Sequence, residues 1–269
     1  MSYVRPLSLV VLFNFFLAIA AAAQVPQPVF APAPAGPEFL SRYDFHMTVY
    51  HLNGDEDPAE RFAWDTHFGG SFDIIDYVAG RAAVNVDYEA VLGSEFRPFD
   101  PNQANYTLEP SLSVRLGETE VVAVFHHVSR HLSDRPKHFA IAWNMWGGRL
   151  LRRATVGSVT IDGALDIGRV VQHSFVDYTW LTDGDVLVRR PVSPRLGVFA
   201  HGSAQVYRVD GTIPDRGTQF GMLVEAGLRV AGRGGALEAF AGFERRVDAY
   251  PLDRVPQNWI VAGFRLLSR

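Results

Sequence analysis

From Phe39 onward, apolar and polar residues alternate with a period of two. Tyr43, Phe45, Met47 and Val49 are interleaved with Arg42, Asp44, His46 and Thr48. Ala82, Val84, Val86 and Tyr88 are interleaved with Arg81, Asn85, Asp87 and Glu89, and Phe220, Met222, Val224 and Leu228 with Glu225 and Arg229. Successive side chains of a strand point to opposite faces, so each segment has one apolar and one more polar face. No segment after the N-terminus shows a helical period. Twelve strands are predicted, at 39–52, 60–71, 79–92, 105–116, 118–131, 138–150, 154–165, 173–182, 195–208, 218–230, 236–247 and 258–267. A further candidate at 185–190 leaves counts from ten to fourteen open.

Two architectures carry this pattern. A soluble sandwich turns the apolar faces inward, whereas a transmembrane barrel turns them to lipid and fills its lumen with polar groups. Segments of about 10–14 residues suit a tilted strand that crosses a hydrocarbon core. Charged residues stand mid-strand on the polar faces, among them Asp44, Asp87, Glu89, Glu225, Glu238 and Arg265, as a lumen allows. Tyr50, Trp64, Tyr106, Trp143, Tyr178, Trp180 and Trp259 lie near segment ends, where interfacial girdles are expected. Tight connections such as Gly117-Glu118 alternate with longer polar ones such as Asp210 to Gly217 and Asp248 to Gln257. The expectation is an all-β, up-and-down antiparallel transmembrane barrel of about twelve strands in a bacterial outer membrane.

The N-terminus supports that location. Arg5, the apolar run Leu7 to Ala20 and the small-residue site Ala21-Ala22-Ala23 have the layout of a secretory signal peptide, residues 1–23. Residues 24–38 read as an extended linker, because Gln24 to Pro37 holds five prolines and can form neither helix nor ladder. The barrel domain is then 39–269.

The 269 residues are 48% hydrophobic, which excludes a disordered chain, and contain no cysteine, which excludes a disulfide framework and thiol chemistry. A net charge of −4 without a basic block argues against nucleic acid and leaves outer-membrane lipids, and an unidentified ligand of the outer loops, as the partners. Arg42, Arg81, Arg115, Arg229 and Arg265 should face the lumen together with Asp44, Asp87, Glu89, Glu109, Glu225 and Glu238. Charges of both signs favour a lumen plugged by ion pairs over a selective pore, which would show rings of one sign.

Chemistry-bearing residues concentrate in Val124 to Asn144. His127 and Ser129 are two apart on a predicted strand and so share a face, within about 7 Å. The histidine could take the serine proton, with Asn144 on the next strand orienting the imidazole. A loop centred near Asp134 and Arg135 pairs residue 127 with about 142, one diagonal from Asn144. A metal reading uses His127, His131, Asp134 and His138, but His127 and His131 lie about 13 Å apart on an extended strand and fit no zinc spacing.

His127-Val128-Ser129, Ser133-Asp134 and Trp143-Asn144 resemble the active strand pair of outer-membrane phospholipase A, and the His-x-Ser is similar to that of lipid A deacylases. That resemblance implies a twelve-stranded barrel with a lipid-facing Ser/His/Asn triad, here Ser129, His127 and Asn144, and only in that case calcium as a cofactor. The stretch His127 to Asp134 also resembles a His-x-Ser-x-His-Leu-Gly-Asp motif of outer-membrane barrels of unknown activity, which implies no chemistry. The expectation is therefore a barrel with a charge-plugged lumen and a structural or binding role. The alternative is a lipid acyl hydrolase.

Overall fold

The computed structural model describes residues 29–54, 57, 59–133 and 139–268. The signal peptide 1–23, the first part of the linker, and Asp134, Arg135 and His138 lie outside the described residues.

Twelve strands close into an antiparallel barrel, each paired with its sequence neighbours, and β1 with β12. They are β1 (Glu38–Gly54), β2 (Trp64–Asp76), β3 (Arg81–Gly93), β4 (Asp100–Leu116), β5 (Thr119–Leu132), β6 (Ile141–Val156), β7 (Val159–Ser174), β8 (Tyr178–Pro191), β9 (Leu196–Val209), β10 (Gln219–Ala231), β11 (Gly235–Arg246) and β12 (Gln257–Ser268). Closure leaves no sheet edge, which is what a bilayer demands of strands, since hydrocarbon offers backbone groups no partner.

The alternation resolves into two surfaces. Tyr43, Phe45, Leu108, Leu112, Val224, Leu228, Ile260 and Phe264 are exposed on the outside, whereas Asp87, Glu109, Glu120, Glu225, Glu238 and Arg265 are buried inside. This is an outer-membrane β-barrel, with an apolar belt toward lipid and ionised groups within.

Two predicted strands are displaced. The boundary expected after Leu150 does not exist, because Leu151 and Arg153 continue the inward row of β6 and Arg153 pairs with Asp162 at 2.6 Å. The turn falls instead at Gly157-Ser158, between the paired Val156 and Val159. There Gly157 has φ +61°, as Gly117 has φ +64° in the turn between β4 and β5. Glycine adopts that left-handed conformation without the Cβ penalty, and a two-residue hairpin requires it at its first position. The segments 173–182 and 185–190 belong across β7 and a continuous β8. Asp183 and Asp185, which stand at the break between the two predicted segments, are alternate inward positions of one strand, and Asp185 bonds His201 at 2.6 Å.

Connections of two to four residues link β2–β3, β4–β5, β6–β7, β8–β9 and β10–β11, and β1 begins and β12 ends at that end of the barrel. The longer connections, including 210–218 and 247–256, lie at the other, together with the three-residue β7–β8 connection. Short turns mark the periplasmic end and long loops the outer one.

Candidate functional site

Most of the inward charges are paired. Arg81 reaches Asp73 at 2.9 Å and Glu120 at 2.8 Å. Arg149 lies between Glu109 and Asp166, at 3.1 and 2.6 Å. Arg265 joins Glu225 and Glu238, at 2.9 and 3.1 Å, while Arg229 shares Glu238. Arg42 pairs with Asp44, and Arg115 with Asp76 at 2.5 Å. The pairs do not fill the lumen. A cavity of about 890 Å³ remains, lined by His67, Glu89, Glu109, Arg149, Asp183 and Arg246 among others.

A cap crosses the outer mouth. The connection between β11 and β12 folds over it, and Asp248 and Ala249 are buried. Arg130 of β5 donates to the carbonyl oxygens of Asp248 and Ala249, at 2.7 and 3.0 Å, and to Gln103 Oε1 at 2.7 Å. Gln103 in turn donates to the Ala249 carbonyl at 2.7 Å. Tyr178 donates its hydroxyl to Asp248, and Arg216 of the β9–β10 connection bonds Asp248 and Asp177 at 2.6 and 2.8 Å. Beneath the cap the cavity is bounded by Arg130, Trp143, Tyr207 and Val247, and its lining runs down to the periplasmic rim at Glu38, Arg189, Arg229 and Ser268.

Residues 29–34 of the proline-rich segment line the cavity near that rim. Phe30 packs against buried Val122, Val124 and Leu151. Arg81 and Arg115 donate to the carbonyls of Val29 and Ala31, both at 3.0 Å. A proline-rich chain is extended and keeps its carbonyls unpaired, so lumen arginines can hold it without a ladder.

The expected aromatic girdle is only partly external. Tyr106 and Trp180 are exposed, but Tyr50, Trp143, Tyr178 and Trp259 are buried inside the barrel. They occupy inward positions, where their hydroxyls and rings serve the polar network: Tyr50 lies 3.1 Å from Asp65, and Arg246 stacks over Trp259 at 5.2 Å.

The cap carries a pH-sensitive clamp outside the strands. Arg61 binds Asp57 at 2.8 Å and Asp253 at 2.8 Å and lies over the Tyr250 ring at 4.3 Å, joining the β1–β2 connection to the capping one. Burial raises the Asp57 carboxyl pKa, but hydrogen bonds from the Arg61 side chain and backbone outweigh it and hold the group below its ordinary value. A carboxyl lowered by folding contributes its stability in full above the unfolded-state value, and that contribution is lost as pH falls through the folded one. Below about pH 4, amide exchange, corrected for the intrinsic rate, therefore speeds up in residues 59–63 and 249–254. In Asp57→Asn it is fast at neutral pH and insensitive to acid, whereas an unchanged acid response in that variant would assign the effect to another group.

The Ser/His/Asn set lies on the outer face near the outer rim. His127 pairs directly with Asn144 in the β5–β6 register, two residues from the expected pairing, because the connection is centred beyond Asp134. His127 Nδ1 lies 2.6 Å from Asn144 Oδ1, and Asn144 Nδ2 donates to Gln172 at 3.0 Å, which fixes the amide. Nδ1–H then donates to Asn144 and Nε2 keeps its lone pair. Ser129 Oγ lies 3.0 Å from Nε2 of His131, not of His127. Of the four residues of the metal reading, the described two, His127 and His131, have these partners instead. Tyr106 meets His131 edge-on at 5.3 Å, and Phe125 packs on Trp146 at 5.0 Å, so the site is set in an aromatic surface. Arg130 follows Ser129 in sequence but faces the lumen, where it secures the cap.

No family model matches the chain, and neither does any curated protein sequence. Among solved structures the fold is similar to an outer membrane channel from Pseudomonas putida F1, at 12% identity and a TM-score of 0.58 over 91% of this chain and 99% of that one. It is also similar to the outer membrane phospholipase dimer of Salmonella typhi with bound calcium, at 13% identity and a TM-score of 0.50 over 84% and 90%. At these identities the likeness concerns the fold, that of a bacterial outer-membrane barrel.

Proposed function

We propose that this protein, exported by a signal peptide cleaved after Ala23, is a non-conducting outer-membrane barrel whose lumen is a blind binding chamber. The observation that carries this reading is the cap: Arg130, Gln103, Tyr178 and Arg216 converge on Asp248 and Ala249 above a cavity of about 890 Å³. A cavity of this size lies within the range that holds a small molecule, and its lining of both charge signs suits a polar one. Purified protein in a planar bilayer shows no steady conductance on this reading. Stable open channels in the wild type would make it a pore.

A second reading rests on one observation, the 2.6 Å contact between His127 and Asn144 on the lipid face. An oriented imidazole two residues from a serine is the arrangement of a nucleophilic hydrolase, and lipid is the substrate at hand. Asn144 would hold the His127 tautomer, and Ser129 would need to turn from His131 to His127, or use His131 as its base. Phospholipid and lipid A are incubated with wild type and Ser129→Ala in detergent, with and without calcium. On the chamber reading both release no fatty acid. Release by the wild type that is lost in Ser129→Ala establishes the hydrolase.

A further inference from the structure

High on the inner wall, below the cap, a histidine and several acids converge from three strands. Asp65 and His67 stand on β2, Asp87 and Glu89 on β3, and Glu244 and Arg246 on β11. One ligand atom from each of Asp65, His67 and Glu89 lies within 4.8 Å of the others. Asp65 and His67 are almost wholly buried, at 0% and 2% exposure. Despite that burial, Asp65 Oδ1 and His67 Nε2 have no hydrogen-bond partner. They face each other across 3.6 Å, too far for a hydrogen bond. Two donors on a tetrahedral zinc stand about 3.3 Å apart. Buried polar atoms are otherwise satisfied, so a facing pair of orphans marks a place for a bridging group.

The surroundings arrange these atoms as ligands. Asp87 Oδ2 lies 2.9 Å from His67 Nδ1. A carboxylate can only accept, so Nδ1 donates and Nε2, which faces Asp65, is the nitrogen left to ligate a metal. This is the carboxylate–histidine–metal relay that orients a ligating imidazole. Asp87 is itself held by His46 at 2.9 Å, through the space left by Gly69, where a Cβ would meet both side chains. Arg246 takes Asp65 Oδ2 and lies 2.8 Å from Glu89 Oε1 and 2.7 Å from Glu244 Oε1, and Asn105 donates to Glu89 Oε2 at 2.6 Å. Each carboxylate oxygen has two lone pairs, so Glu89 retains one for a metal. Four carboxylates, Asp65, Asp87, Glu89 and Glu244, thus surround one guanidinium and the imidazoles of His46 and His67, so acidic groups outnumber basic ones at a place where a dication could sit.

We infer that Asp65, His67 and Glu89 bind one divalent first-row transition-metal ion at the top of the lumen chamber, with Asp87 as the positioning residue for His67. One imidazole nitrogen with two carboxylate oxygens suits zinc or manganese and falls short of the oxygen-rich shell calcium requires. His67 and Glu89 line the cavity, so the remaining coordination positions open into it. The inference deepens the chamber reading, while the metal site and the absence of conductance are separately measurable.

The test uses full-length mature barrel in detergent, stripped with chelator, then equilibrated with zinc chloride and dialysed. Metal content is read by mass spectrometry, affinity by calorimetry, and ligation by X-ray absorption on the wild type. Heat-modifiable gel mobility checks the fold of every sample. One zinc per chain is expected, with one imidazole and oxygen donors in its shell. His67→Gln and Asp65→Asn should lose the retained ion, and Asp87→Asn should weaken binding about ten- to a hundredfold. His131→Ala, on the outer face, should leave it unchanged. If a variant does not fold, the wild-type absorption spectrum decides, since a shell without imidazole overturns the site. Folded wild type that retains no zinc, or retention undiminished in folded His67→Gln, also overturns it. Metal bound in a conducting barrel would refute the chamber and leave the site standing, and a silent barrel without metal the reverse.

Discussion

Arg246→Met lowers the unfolding free energy of the barrel by roughly 3–5 kcal/mol, a large loss for one lumen substitution. Arg246 contacts Asp65, Glu89, Glu244 and the Tyr50 hydroxyl, the last at 3.1 Å, and supplies the ion pairs of those carboxylates to arginine among the described residues. Removing it leaves the buried Asp65 and Glu244 and the half-buried Glu89 without their shared cation, and the penalty comes from those stranded charges rather than from the lost attraction. Methionine keeps much of the side-chain volume over Trp259, which isolates the electrostatic cause. Arg246→Lys recovers only part of the loss, because an ammonium cannot serve three carboxylates through a planar fork. Adding Asp65→Asn to Arg246→Met recovers part of it by removing one stranded charge, a coupling that a double-mutant cycle measures. The readout is guanidinium unfolding of the refolded protein in micelles, followed by tryptophan fluorescence. A loss below about 1 kcal/mol would show that water in the cavity solvates these acids as a surface would.

Deleting residues 249–255, with a short glycine–serine bridge from Asp248 to Pro256, converts a silent barrel into a conducting one. The deletion removes the Ala249 carbonyl, which accepts from Arg130 and Gln103, together with Asp253, the cap-side partner of Arg61. Beneath it the cavity already extends from Arg130 and Val247 to the periplasmic rim. The substitution Arg130→Ala acts in the same direction with a smaller effect, since Arg216 and Tyr178 still hold Asp248. Single-channel recordings on the three proteins give the order: wild type closed, Arg130→Ala intermittently open, deletion open. A deletion variant that folds and stays closed would place the barrier deeper, at the Arg246 network or at residues 29–34.

The sequence by itself determined the class of this protein. Period-two alternation is set by the geometry of one strand, so Phe45 outside and Glu225 inside could be read without a partner strand, as could the turns marked by Gly117. Tertiary structure decided the rest, because the remaining questions concern pairing between strands. The chain from 182 to 185 reads as a break between two strands, and only the pairing with β9, which brings His201 to Asp185, makes it continuous. Tyr50 and Trp143 read as interfacial aromatics, since composition near a strand end does not say which way the ring points. Asn144 was legible as a partner of His127, but its exact opposition depended on the centre of the connection between them. The meeting of Asp65, His67, Glu89, Glu244 and Arg246 had no local signal. Parity alone puts each on the inner wall, and only the closed register, which brings β2, β3 and β11 around one lumen, sets them at one point.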